Sequence, residues 1–223
     1  MLALNFPEDP AAPVKLLFLG AHSDDIEIGC GGTILQLLSS YSNVHVVWVV
    51  FSSAPERERE ARTSAARFLE RAATKQIMVM NFRDGFFPYE GAGIKEAFER
   101  LKNEFDPDLI FTHYRRDRHQ DHRTISDLTW NTWRRHLIME YEIPKYDGDL
   151  KTPNVYVPLA QAVCARKIGI ILDVFQSERN KAWMSEDTFQ AMLRLRGVEC
   201  AAPEKYAEAF HCRKLILGIC RGT

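Results

Sequence analysis

The stretch "LFLGAHSDDIEIGCGGT", residues 17–33, decides the fold. Leu17 to Ala21 are apolar or small and read as the end of a buried strand, and the small residues and threonine at 29–33 lead into a helical pattern. Between them stand His22, Asp24 and Asp25, an imidazole and two adjacent carboxylates where the strand should be turning into the helix. Crowding these groups costs free energy unless something positive sits among them.

Outward from this turn the same alternation repeats. Apolar runs at 15–21, 44–51, 76–82 and 108–114 are each bounded by turn or charged residues and read as strands. The segments 31–40, 57–72 and 94–105 between them have helix-forming composition and apolar residues at three- and four-residue spacing. Strands alternating with helices predict an α/β fold with a mostly parallel sheet buried on both faces. Beyond the fourth strand the pattern loosens, giving a helix near 122–138, a strand or hairpin within 145–159, helices near 161–182 and 186–196, and a late strand at 214–219. The chain has no repeat, low-complexity tract or linker, so one domain is expected over 1–223.

A second cluster, "DRHQDH" at 117–122, brings Asp117, His119, Asp121 and His122. Two histidines three residues apart share a face if a helix starts there. In open α/β sheets, sites form outside the carboxyl ends of the strands, where the two clusters follow the first and fourth strands. Together they supply nitrogen and carboxylate donors without cysteine, which points to a bound cation. Zinc leads, with three protein ligands and an open position, and ferrous iron held by two histidines and a carboxylate stays open. Gly29, Gly31 and Gly32 match neither G-x-G-x-x-G nor a P-loop, so close packing of a helix on the sheet is expected of them.

Composition narrows the partners. The chain has 223 residues, 46% hydrophobic, with a formal net charge of -1. That balance gives no reason to expect nucleic acid or an anionic membrane as partner. The apolar run "VVWVVF" is far too short to span a bilayer and no basic leader precedes the first strand, so a soluble cytoplasmic protein is expected. The five cysteines are scattered and read as reduced core thiols. Homo-oligomerisation is left open.

"AHSDDIEIGCGGT" followed about a hundred residues later by "DRHQDHR" resembles the LmbE-like, or PIG-L, family of de-N-acetylases, and "RDG" at 83–85, "KIGIILDVFQSE" at 167–178 and "YAEAF" at 206–210 resemble further family segments. The resemblance implies a Rossmann-like three-layer sandwich and removal of acetyl groups from N-acetylglucosamine-type amino sugars or their conjugates. It makes His22, Asp25 and His122 the zinc ligands and Asp24 the general base. It also makes His119 the group that stabilises the oxyanion, as an imidazolium, or protonates the amine, with Asp121 orienting it.

Ser23 and Ile26 depart from the family's usual proline and glutamate, and neither change removes a ligand or the base. The loop "SSAPERERE" lacks the glycine-flanked arginine that some relatives use against substrate; Arg57 and Arg59 in it read first as exposed helix charges. Phe86, Phe87, Tyr89 and Trp183 read as core before sugar pocket. Two rival readings are a metal-dependent amidase on a non-sugar N-acyl compound and a Rossmann-like nucleotide- or metabolite-binding module without turnover.

Overall fold

The structure, a computed structural model, describes residues 9–216. Among them seven strands form one sheet in the order β3-β2-β1-β4-β5-β7-β6, comprising β1 (Val14–Gly20), β2 (Val44–Val50), β3 (Thr74–Val79), β4 (Leu109–His113), β5 (Leu137–Tyr141), β6 (Val155–Leu159) and β7 (Tyr206–His211). The first five are mutually parallel, and β7 runs antiparallel between β5 and β6. Because successive strand residues face opposite sides, Leu16, Phe18, Val46 and Trp48 enter one core, and Leu17, Leu19, Val47 and Val49 enter the other. Helices α1 (Asp25–Ser40), α2 (Pro55–Phe68), α5 (Gln161–Val174) and α6 (Glu186–Glu199) cover the first face; α3 (Gly91–Glu104) and α4 (Gln120–Thr132) cover the second. This is the expected α/β three-layer sandwich.

Four details differ from the sequence reading. Helix α1 begins at Asp25, six residues before the expected 31–40 segment, because the chain turns directly from β1 into it. The helix expected near 122–138 ends at Thr132, and Leu137 and Ile138 belong to β5, a short strand hidden by its polar surroundings. The helix expected near 161–182 ends at Val174, with a separate 3-10 turn over Gln176–Glu178, whereas the 145–159 segment supplies the strand of its two expected forms, β6, paired with the distant β7. Lys214 to Ile216 are not in a strand, and the rest of the expected late strand, 217–219, lies outside the described residues. Among the described residues the cysteines are unpaired, with Cys30 and Cys164 buried and Cys200 and Cys212 only half-buried. No helix among them is long and apolar enough to cross a membrane.

The glycines of α1 are required by close approach. A Cβ on Gly29 would lie 2.2 Å from Tyr141 Cδ2, and one on Gly32 would lie 2.5 Å from Leu159 Cδ1. Between them the helix breaks at Cys30, whose φ of -144° is not helical. The break frees one rung of the hydrogen-bond ladder, the Ile28 carbonyl and the Gly32 amide, and a buried ion pair takes its place. Lys167 Nζ donates to the Ile28 carbonyl at 2.7 Å and to Glu208 Oε1 at 2.6 Å. The Gly32 and Thr33 amides donate to the two Glu208 oxygens at 2.8 and 2.6 Å. Removing one partner of such a pair strands the other charge and a backbone group in the core. Lys167→Met is therefore expected to cost about 3–5 kcal/mol in a urea titration; a loss below about 1 kcal/mol would show that the clasp is dispensable.

Candidate metal centre

Adjacent placement of β1 and β4, with Phe18 opposite Phe111, brings the two sequence clusters to one sheet edge. The turn after β1 carries His22 and Asp24, α1 opens with Asp25, and α4 carries Asp121 and His122 in its first turn with His119 as N-cap. His22, Asp25 and His122 are all buried and meet. His22 Nδ1 lies 3.2 Å from His122 Nε2 and 3.5 Å from Asp25 Oδ2, and His122 Nε2 lies 3.4 Å from Asp25 Oδ1. A tetrahedral ion about 2.0–2.1 Å from each donor needs donor atoms about 3.3 Å apart. The two imidazole nitrogens meet that spacing and the Asp25 carboxylate offers one oxygen near each; His22 and His122 also group with His119, and Asp25 and His122 with His113, as sets whose ligand atoms lie within 4.8 Å of one another.

Electrostatics agree with that fit. Burial, then the neighbouring His113, hold His122 down to about 4, so its ring is neutral near pH 7. Its Nδ1 donates to Asp117 Oδ2 at 2.9 Å, leaving the Nε2 lone pair directed at the cluster. Burial opposes the charge on Asp25, but His122 and His113 outweigh it and hold the carboxyl well below its usual range. Burial likewise opposes charge on His22, yet hydrogen bonds to Asp121, Asp25 and Asp84 outweigh it, so the ring is held charged. A cluster that keeps a proton on a buried imidazole is one that calls for a positive charge, the condition raised by its crowding in the sequence.

The remaining expected residues flank this group. Asp24, buried, accepts from Arg57 Nη2 at 3.1 Å, and burial, only partly offset by Arg57, raises it to about 6. His119 packs edge-on to His22 at 4.8 Å between ring centroids and stacks on His122 at 4.6 Å. Burial, then the charge on His22, lower its pKa from the usual histidine range. Its Nδ1 accepts the Asp121 backbone N–H at 3.3 Å, which assigns the ring proton to Nε2. The Asp121 carboxylate does not reach that ring: it lies 3.2 Å from His22 Nε2 and accepts the Gly85 and Phe87 amides at 2.7 and 3.1 Å.

Sequence reasoning missed several members of the site. Arg57 is not an exposed helix charge, since it bridges buried Asp24 and Glu178; Arg59 is exposed as expected. The available signal was Pro55, which marks the start of α2 and so puts Arg57 in its first turn. Asp84 sits in the "RDG" segment 3.1 Å from His22 Nε2. His113, the last residue of β4, stacks on His122 at 3.9 Å, with Nε2 3.2 Å from Asp25 Oδ2. Lys145 Nζ, on the segment read as a strand or hairpin, donates to Asp117 Oδ2 at 2.9 Å and to Asp149 at 2.8 Å. Phe87 is core, while Phe86 and Tyr89 are exposed beside it and Trp183 is half-buried.

Residues 17–133 match the family described as "PIG-L: GlcNAc-PI de-N-acetylase". The curated relative YaiS of Escherichia coli K12, described as an uncharacterised deacetylase, is 28% identical over 142 residues, 58% of this chain and 74% of the relative. Two solved structures share the fold. The N,N'-diacetylchitobiose deacetylase of Pyrococcus horikoshii has a TM-score of 0.69 at 21% identity over 89% of this chain and 83% of that one. GalB, the 4-carboxy-2-hydroxymuconate hydratase of Pseudomonas putida KT2440, has 0.70 at 14% identity over 94% and 100%. At these identities the likeness shows the fold alone, and one fold serving a deacetylase and a hydratase leaves the reaction to the side chains.

The Asp117–His122 contact yields a test. Carboxylates behind metal-binding histidines typically contribute 10–100-fold to affinity. Asp117→Asn is expected to weaken zinc binding by about that factor in competition with a chromophoric chelator; unchanged affinity would remove His122 from the centre.

Proposed function

Because this chain belongs to the PIG-L family of de-N-acetylases, we propose that it is a metal-dependent hydrolase that removes the acetyl group from an N-acetylated amino sugar of the N-acetylglucosamine type, or its conjugate. His22, Asp25 and His122 hold the ion in this reading; zinc suits their two nitrogens and one carboxylate best, with ferrous iron the alternative. The observation that carries it is the pairing of Asp24 with Asp25. One carboxylate is turned into the His22–His122 group and the other away to Arg57, so a ligand and a base stand side by side. A binding module without turnover has no use for the second acid. The family matched over residues 17–133 is described by a GlcNAc-PI substrate, which favours the sugar over a non-sugar N-acyl compound.

His22, Asp25 and His122 would hold a divalent cation that, when bound, would supply polarisation of the amide carbonyl and a water acidic enough to ionise near neutral pH. Asp24 takes the proton as the water oxygen bonds to the acetyl carbon. Arg57, 3.1 Å from Asp24 Oδ1, keeps that carboxylate ionised against the cost of its burial. The neutral His119 ring, with its proton on Nε2, donates to the oxyanion, a contribution worth about 3–4 kcal/mol when a single donor is removed in comparable sites. Asp24 then returns its proton to the amide nitrogen as the C–N bond breaks, releasing acetate and a free amine. Asp121 serves in two ways: its backbone N–H orients His119, and its carboxylate orients His22.

Amine release from a panel of N-acetylglucosamine conjugates and non-sugar N-acyl amines, measured alongside metal content, tests the assignment. Asp24→Asn should keep its metal and lose about a hundred- to ten-thousandfold in turnover. Asp25→Asn should lose metal and recover in part with added zinc; the reverse pattern would exchange the two roles.

The pH profile carries an independent prediction. Asp24 must be ionised to accept a proton, so kcat/KM should rise with pH through about 6. Arg57→Gln removes the charge that holds this value down, so the rising limb should move to higher pH by about one to three units. A profile that stays in place would dissociate Asp24 from the rate.

A further inference from the structure

A second concentration of charge lies where β4 and β5 end and β7 leaves the sheet. Glu140 of β5, fully buried, stands at its middle, opposite His211 on β7. Its Oε1 accepts Trp130 Nε1 and Arg213 Nε, both at 2.6 Å, and its Oε2 accepts the Arg115 amide at 3.0 Å. The cations around this one carboxylate are poorly matched. The Arg213 side chain, 25% exposed, lies 4.3 Å above the Trp130 ring, and its Nη2 is buried without a partner. Lys214 Nζ lies 5.3 Å from the same ring and donates to a carbonyl, that of Arg134. Arg115 and Arg116 are exposed, and neither guanidinium forms a hydrogen bond or ion pair among the described residues. Four cations thus share two acids, Glu140 and Asp127, an excess of two positive charges. Neighbouring groups register that excess. Burial, then Arg115, hold Arg213 below the usual guanidinium range, against Glu140 and Asp127. Burial, then Arg196 and Arg116, hold His211 down to about 4, and its Nε2 is also buried without a partner. The His211 ring is stacked on Tyr114, 3.8 Å between centroids, directly before the two arginines.

We propose that Arg115, Arg116 and Arg213 form a binding site for a phosphate-type dianion, either free phosphate or the terminal group of a phosphomonoester. Two positive charges in excess match a dianion, whereas a single carboxylate would leave one of them unbalanced. Guanidinium forks present parallel N–H donors at the spacing of phosphate oxygens, and a cluster of arginines suits that anion better than a point charge does. Arg213 is the preorganised member, fixed by Glu140 on one edge and by Trp130 on its face. Arg115 is placed beside it because its backbone occupies the other oxygen of the same carboxylate. The exposed side chains of Arg115 and Arg116 must be ordered when the anion binds, at an entropic cost that Arg213 does not incur. The site shares no side chain with His22, Asp24, Asp25 or His122, so it stands or falls independently of the metal-hydrolase reading.

Calorimetric titration with inorganic phosphate and with glycerol 3-phosphate tests the proposal at about pH 8, where both are dianions. Chloride at about 0.15 M suppresses a merely diffuse attraction to surface charge. Wild type as purified is expected to bind one equivalent, and to keep it after treatment with chelator. Arg115→Gln and Arg116→Gln remove exposed, unpaired side chains and should each weaken binding by about tenfold or more. Arg213→Gln, followed by thermal unfolding because it also releases Glu140, should abolish it; if that variant unfolds, the two exposed ones decide. Absence of saturable binding in wild type, or unchanged affinity in either Arg115→Gln or Arg116→Gln, would overturn the site. Binding that a chelator removes from folded protein would overturn it too, since the phosphate would then sit on the metal. Tighter binding of glycerol 3-phosphate identifies the ligand as an esterified phosphate, and tighter binding of inorganic phosphate identifies the free ion.

Discussion

The ion pair of Lys167 and Glu208 stands where one rung of α1 is missing, and the geometry of the site depends on it. Helix α1 must start at the end of β1 so that Asp24 and Asp25 project over the sheet edge, and it must then pass close enough to Tyr141 and Leu159 that no side chain fits at Gly29 or Gly32. Between those two glycines the helix breaks at Cys30, and the break leaves a carbonyl and amides that a dry core cannot tolerate unpaired. Lys167 from α5 and Glu208 from β7 supply a donor and two acceptors. The first turn of α1, with its two acids, is thereby tied to parts of the chain more than 130 residues away.

From that anchored turn the site is organised by charge. Each histidine of the proposed ligand set is backed by a carboxylate, His22 by Asp121 and His122 by Asp117, so each ring is fixed in rotation and in the nitrogen it offers. Lys145 balances Asp117 and Asp149 behind His122, and Arg57 balances Asp24 and Glu178 behind the proposed base. The two cations lie outside the histidine cluster. They therefore stabilise the acids without occupying the place where a metal would sit.

A shared fold does not dictate this chemistry, since a hydratase and a deacetylase have it in common with the present chain. What can is the division of labour between neighbours that differ by one position. Asp24 and Asp25 are chemically identical, yet the turn from β1 into α1 points one at an arginine and the other at two histidines. Their protonation then diverges: burial pushes Asp24 up, and the histidines hold Asp25 down.

The sequence by itself determined the alternation of strands and helices, the mostly parallel sheet, and the presence of two polar clusters at strand ends, because these follow from local periodicity and from the cost of crowding charges. It did not reveal β7, whose Glu208 interrupts the apolar pattern for the sake of the α1 clasp, nor β5, which is short and follows a polar turn. Only the tertiary structure decided that Arg57 reaches Asp24, that His113 underlies His122, that Lys145 stands behind Asp117, and that the Asp121 carboxylate serves His22 rather than His119. Apart from Asp121 and His119, these partners are separated by 9 to 99 positions and have no periodic relation. Their contacts arise from which strands lie side by side and how each loop returns to the sheet, and local spacing carries no record of either.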